Sequence, residues 1–505
     1  MTRIGTATVI LAIFPLLSLL SCGGGNGMSS SFMPPSQSPS PVAGLKQLSS
    51  DSFTNSQSQH ATEVEPGMAA SGSTLVTAFQ VGRIYGGGAA DIGFATSTDA
   101  GASWSNGLLP GITQFESGTY IAVSDPSVAY DQAHSVWIIA SLAIASGTDI
   151  VVVSRSSDAH NWNNPITVSS TPDADKNWIT CDNNSASPFF GHCYVEWDDP
   201  SKPANGLIWM STSTDGGITW SAAANTADMA AGVGGQPVVG VNGVVIVPIQ
   251  NSDGTQMIAF NSTDGGMTWS RTVMISTISD HAVAGNLRTS PLPSAAVDGA
   301  GSVYVVWQDC RFRANCSSND IVMSTSSDGS NWSAPIGVPI DSVTSTVDHF
   351  IPAIAADPAS SGGSAHLGLT YYFYPDATCT AATCQLNVGF ISSSDGGNTW
   401  GTPSTLGGPM MLSWLPITSS GVMVGDYVAT AYANGSPFGV FAVAQQNTGS
   451  EFNEAIFTTP HALPQTRSAR RPAMNASATV TRRSDHPPRR FYDLDHEHPI
   501  PRRKQ

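Results

Sequence analysis

Ser213-Thr-Asp-Gly-Gly-Ile-Thr-Trp220 decides the fold of this chain. The stretch recurs as Ser97–Trp104, Ser262–Trp269 and Ser393–Trp400, and one residue shorter as Ser156–Trp162 and Ser326–Trp332. Each copy has Ser, then Asp two residues on, usually a Gly, and a closing Trp. Internal repetition at this period marks an array of similar units, each too small to bury its own apolar face.

The unit extends beyond the Trp box. A second register runs through Glu65-Pro66, Asp125-Pro126, Asn177-Trp178, Gln236-Pro237, Leu292-Pro293 and Ile351-Pro352. Each opens a strand of small and aliphatic residues. Further β-rich runs follow, such as Val136–Leu142 and Val303–Trp307, then a run into the box and another after it. Four antiparallel strands per repeat predict an all-β chain, a β-propeller of four-stranded blades. Asp99 and Asp395 lie 296 residues apart, five intervals of about 59. Residues 45–460 therefore hold about seven units, with six as the alternative. The last, from Asp426-Tyr427, has no box and three strands; its fourth is expected from the N-terminal stretch Leu45–Phe53.

The flanks read differently. Residues 1–21 look like a signal peptide, with Arg3 ahead of an apolar run. They end in Leu19-Leu20-Ser21-Cys22, which resembles a bacterial lipobox and implies lipidation of Cys22. Gly23 follows, so an outer-membrane anchor with the domain outside the cytoplasm is expected. Residues 22–44 are a Gly/Ser/Pro-rich tether. Residues 461–505, with ten Lys/Arg against four Asp/Glu, read as a disordered basic tail, either solvated or in contact with anionic lipid or glycan. The net charge of −17 argues against nucleic acid as a partner. Besides Cys22, six cysteines fall into close pairs: Cys181/Cys193, Cys310/Cys316 and Cys379/Cys384. Local pairing implies three disulfides; zinc is the rival reading, without CxxC spacing or a His cluster to support it.

The Trp box resembles the Asp box, or BNR repeat, of sialidases, over most of residues 60–460. The resemblance implies that Asp99, Asp158, Asp215, Asp264, Asp328 and Asp395 accept backbone N–H bonds and are structural. It also implies an active site on the face opposite the boxes. Sialidases grip the substrate carboxylate with three arginines and use a Tyr–Glu nucleophile and an acidic acid/base. Here the first-arginine position is Val64, inside Glu63-Val64-Glu65-Pro66. Phe79-Gln-Val-Gly-Arg83 keeps an arginine in a second family stretch. Arg83, Arg288, Arg311 and Arg313 are the candidate substrate ligands; Arg311 and Arg313 have the alternative role of bracing the Cys310–Cys316 loop. Tyr427 is the candidate nucleophile, with Glu116 as its partner and Asp426 as a further catalytic candidate.

The repeat suggests a site of its own. Aligned first strands bring Glu65, Asp125, Asn177, Gln236, Leu292, Ile351 and Asp426 to the mouth of the central channel. Glu65, Asp125 and Asp426 belong to neighbouring units. Such carboxylates can hold Ca²⁺, form a glycosidase acid/base pair, or bond their own loop backbones; no cofactor is required. The function expected is a monomeric, lipid-anchored, non-catalytic module that binds a glycan or cell-surface protein. The alternative is a glycoside hydrolase of the exo-α-sialidase type.

Overall fold

Each Trp box folds as a turn closed by its own side chains. In the Ser213–Trp220 copy, the Asp215 carboxylate accepts from the backbone N–H groups of Ile218 (3.1 Å) and Thr219 (2.9 Å) and from the Thr219 hydroxyl (2.6 Å). Ser213 Oγ donates to Asp215 and accepts from Gly217 N. Gly216 and Gly217 both have positive φ, which a β-carbon would disfavour. Hydrogen bonding from Ser103 holds Asp99 down at about 2, and the Asn331 bonds do the same for Asp328. These carboxylates are ionised acceptors, as expected of structural residues. The Trp side chains pack between repeats: Trp162 against Phe94 (5.6 Å between rings) and Trp269 against Tyr194 (6.2 Å).

The computed structural model describes residues 40–146, 148–170, 173–201, 205–465, 471–472 and 474. The signal peptide, Cys22 and nearly all of the tether and basic tail lie outside them. The described chain is all-β, in antiparallel meanders arranged as a β-propeller. The expected seven blades, or six, are not what the sheets show. Among the described residues, five sheets have four or more strands. One runs through eight strands, Glu63–Ser71 to Ile166–Ser169, because Ala89 pairs with Val123 and joins the first two repeats. The repeat from Asp175–Cys181 to Leu207–Ser213 keeps three strands. Repeat counting sees the boxes, but hydrogen bonding between strands decides where one sheet ends.

The three cysteine pairs form disulfides as read: Cys181–Cys193, Cys310–Cys316 and Cys379–Cys384. Their place in the fold differs from that of functional-site residues. Cys193 and Cys384 are core residues, both fully buried at 0% exposure. Cys193 opens the strand Cys193–Asp199 and packs in an apolar cluster with Val195 and Trp197. Cys384 precedes the strand Gln385–Ser393 and packs in a cluster with Leu386 and Val388. Neither lines the axial pocket described below. Spacing shows that two cysteines can pair; only packing shows which of them lie in the hydrophobic interior, Cys193 and Cys384 among them. The N-terminal segment also meets its expectation and completes the last sheet. Lys46–Gln47 pairs with Thr458 and Phe457, beyond Ser436–Ala444 and Ala429–Ala433. After residue 460 the described residues are not tail-like. Leu463 is buried, and Arg471–Pro472 pairs with Thr399–Trp400.

The ring closes on buried acids. Ser49 Oγ donates to Glu63 Oε2 (2.6 Å) and accepts from Ile456 N (2.8 Å), linking the N-terminal segment, the first repeat and the last. Glu63 Oε1 and both carboxylate oxygens of Glu454 are buried without a hydrogen-bond partner. Burial pushes Glu63 up to about 8, with Ser49 opposing and Asp51 adding to the rise. Burial and then Glu63 push Glu454 well above its ordinary value. The folded Glu63 keeps a proton that an unfolded chain releases near 4.5. Its stabilising contribution is full below that pH, declines as the pH rises, and is gone above about 8. Glu63→Gln should melt like the parent at pH 4.5 and several degrees higher at pH 8.5, read by circular dichroism in matched buffers.

Candidate functional site

The first strands deliver side chains to the axis through a repeated bulge. Strand pairing slips between Val64 and Gly67, Ser124 and Ser127, Asp175 and Trp178, and Phe350 and Ala353. At each slip one non-glycine residue has positive φ: Glu65 (57°), Asp125 (47°), Lys176 (50°) and Ile351 (49°). Bulges re-aim side chains, and backbone held in this region is characteristic of functional sites.

This geometry corrects the alignment of the third repeat. Lys176, not Asn177, is the counterpart of Glu65 and Asp125, and Asn177 stands where the other repeats have Pro66, Pro126 and Pro352. A signal for this was present. Asp131 and Asp357 follow Pro126 and Pro352 by five residues, and Asp182 follows Asn177 by five, so the register that sets Asn177-Trp178 beside Asp125-Pro126 is one residue late. The slip hid a lysine at the centre of the site.

Lys176, Arg288 and three acids form one buried network. Lys176 Nζ lies 2.7 Å from Asp426 Oδ2 and 3.6 Å from Asp125 Oδ1. Arg288 holds the same Asp426 carboxylate bidentately, Nε to Oδ1 at 2.8 Å and Nη2 to Oδ2. Glu65 Oε1 accepts from Asp426 N (3.2 Å), and its other oxygen accepts from the Gln80 amide. Tyr427 donates to Asp125 Oδ1 at 3.5 Å, and its ring meets Trp178 edge-on at 5.3 Å. Burial would raise Asp426, but Arg288 and Lys176 outweigh it and hold the group well below the usual carboxylate range. Burial pushes Glu65 up to about 8, with Lys176 pulling down and Asp125 and Asp426 pushing up. Burial works against the Lys176 charge, yet Asp125, Asp426 and Glu65 hold its proton well above the ordinary range. Tyr427 is driven far up by burial, then by Glu65, Asp125 and Asp426, so its phenol stays protonated. Glu65 is thus neutral up to about pH 8, and Lys176 and Arg288 are both held by Asp426.

A pocket of about 430 Å³, including its open mouth, lies beside this network. Of the seven residues expected at the channel mouth, Asn177, Gln236, Leu292, Ile351 and Asp426 line it, with Lys176, Trp178 and Tyr427. Glu65 and Asp125 lie behind it, in contact with its lining residues.

The predicted arginines have separate anchors. Arg288 is bonded into the axial network. Arg83 is buried and donates to the carbonyls of Gly88 (2.5 Å) and Ile84 (3.3 Å). Arg311 is held by Asp309 and Ser276 and lies over the Trp307 ring. Arg313 is held by Asp320, Asp341 and Ser345, and its backbone bonds to Cys310 and Cys316. These last two brace the disulfide loop. Glu116 is also misassigned as the partner of Tyr427. It lies in a short 3₁₀ turn, Gln114–Glu116, where its charge acts on Asp91; the acids acting on Tyr427 are Glu65, Asp125 and Asp426. The Lys176 ammonium occupies the space between Asp125 and Asp426 where the Ca²⁺ reading put its ion. Elsewhere, Asp320, Asp341 and His349 lie close enough to share a cation, but the Arg313 guanidinium bridges the two aspartates.

Residues 145–353 match the family described as BNR repeat-like domain, within a chain whose sheets are arranged as a β-propeller. No curated protein matches. Among solved structures, the Hadza microbial sialidase Hz136 is similar at 15% identity and TM-score 0.42, over 80% of this chain and 66% of that one. This chain thus spans about two thirds of that sialidase's length. The NanB sialidase of Streptococcus pneumoniae is similar at 13% identity and TM-score 0.41, over 82% and 70%. A protein of unknown function from Dyadobacter fermentans is similar at 14% and TM-score 0.40, over 66% and 93%.

Asp426→Asn removes most of the charge that two buried cations share. Leaving buried charge uncompensated costs about 3–5 kcal/mol. A urea titration should show that loss, and the triple variant Lys176→Met/Arg288→Met/Asp426→Leu should recover part of it.

Proposed function

We propose that this protein is a non-catalytic recognition module, held outside the cytoplasm by a lipid on Cys22, that binds a glycan or cell-surface protein at its axial pocket. The observation that carries this reading is the internal neutralisation of the axial cations. Arg288 and Lys176 both hold Asp426, and Arg83, Arg311 and Arg313 are tied to other groups. A bidentate grip on a substrate carboxylate needs arginines with donors to spare. The first-arginine position is the buried, apolar Val64. Tyr427 is protonated and faces an aspartate rather than Glu116, which does not favour its use as a nucleophile. The pocket itself has apolar walls with a few convergent polar groups, the usual character of a ligand site.

The purified full chain should show no turnover of 4-methylumbelliferyl sialoside. Turnover in the parent that is lost in both Arg83→Ala and Tyr427→Phe would establish the hydrolase instead. Lipid attachment is separable from this. Radiolabelled palmitate should enter the protein expressed in a bacterial host and be absent from Cys22→Ser.

A further inference from the structure

Asn177 is 1% exposed, lines the axial pocket, and has no hydrogen-bond partner on either Oδ1 or Nδ2. An amide buried without partners destabilises the fold. Nor does the fold demand one, because three other repeats have proline at this point. The orphaned amide is an acceptor and a donor side by side. Its complement is a group with a donor and an acceptor equally close together.

The neighbouring surface narrows the ligand further. Trp178 lines the same pocket, and its edge-on packing with Tyr427 fixes the ring. Leu292 and Ile351 supply apolar wall. Gly235 also lines the pocket, and a β-carbon there would meet the buried Glu196 carboxyl at 2.7 Å. The one carboxylate of the lining, Asp426, is saturated by Lys176 and Arg288. The pocket therefore offers an aromatic ring, apolar sides and the unpartnered Asn177 amide, with its cations held by its own acids.

We propose that the axial pocket seats an uncharged pyranose, its C–H face against Trp178 and two neighbouring hydroxyls on the Asn177 carboxamide. Vicinal hydroxyls present one donor and one acceptor at the spacing of an amide. The C–H face of a pyranose is apolar and flat, the shape that packs on an aromatic ring. A carboxylated sugar would meet Asp426 and find both cations engaged. This inference rests on the reading of the pocket as a recognition site and specifies what it recognises.

The test uses the full chain in detergent and saturation-transfer NMR. The probes are methyl glucoside, galactoside and mannoside pyranosides, alongside methyl α-sialoside. At least one neutral glycoside should bind, with the sialoside weaker than it. Asn177→Ala and Asn177→Asp should each weaken that binding about tenfold to a hundredfold, with melting temperature confirming the fold. Trp178→Ala should abolish transfer to the sugar C–H protons. Preferred binding of the sialoside, or neutral-sugar binding indifferent to Asn177, overturns the pyranose assignment and leaves the recognition site standing. Absence of binding by every glycoside overturns both the assignment and the glycan form of the recognition reading.

Discussion

Asp426 is where the molecule is tied together. One carboxylate accepts from Lys176, 250 residues earlier, and from Arg288, 138 residues earlier, while its own N–H reaches Glu65 near the other end of the chain. Strands of a radial array have no covalent reason to meet at the axis, and each first strand directs polar groups there. Buried charge is tolerated only when paired and hydrogen-bonded. The axial acids and cations therefore constrain one another, and the constraint sets both the ring's centre and the electrostatics of its pocket.

The opposite ends of the repeats are held by a different physics. There the Trp boxes are local: a Ser, an Asp and a Gly within eight residues satisfy their own turn, and the Trp and a few backbone carbonyls, such as Gly216 O accepting from Arg155, reach a neighbour. Local turns can repeat without regard to the rest of the chain. The axis cannot, because every residue placed there meets partners from several repeats. This explains why the boxes are nearly identical while the axial positions range from Glu65 to Ile351.

A similar division runs through the candidate site. Tyr427, Asp426, Glu65 and Asp125 were legible because the strand register brought them to one mouth. Arg288 was legible as a cation, but not as one spent on Asp426. Lys176 was lost to a one-residue offset where Pro is absent and Asn177 takes its place. Glu116 was chosen by its type and lies in a turn beside Asp91. The cysteine pairs were legible as bridges, but the burial of Cys193 and Cys384 in the core was not, because it depends on what packs around them. That Val64 stands at the first-arginine position was plain in the sequence.

What the sequence alone determined is the repeat, the turn chemistry of its boxes, the cysteine pairing and the all-β propeller architecture. All depend on residues close together in the chain, where spacing is geometry. The tertiary structure decided how strands merge into sheets, which cations are consumed, and which buried groups stay unpartnered. Those outcomes depend on distances between residues hundreds of positions apart, and on the burial that gives a charge or an orphaned amide its cost. The Asn177 carboxamide belongs to this second kind: an ordinary polar residue in the sequence, and an unmet hydrogen-bonding demand only once the ring has closed around it.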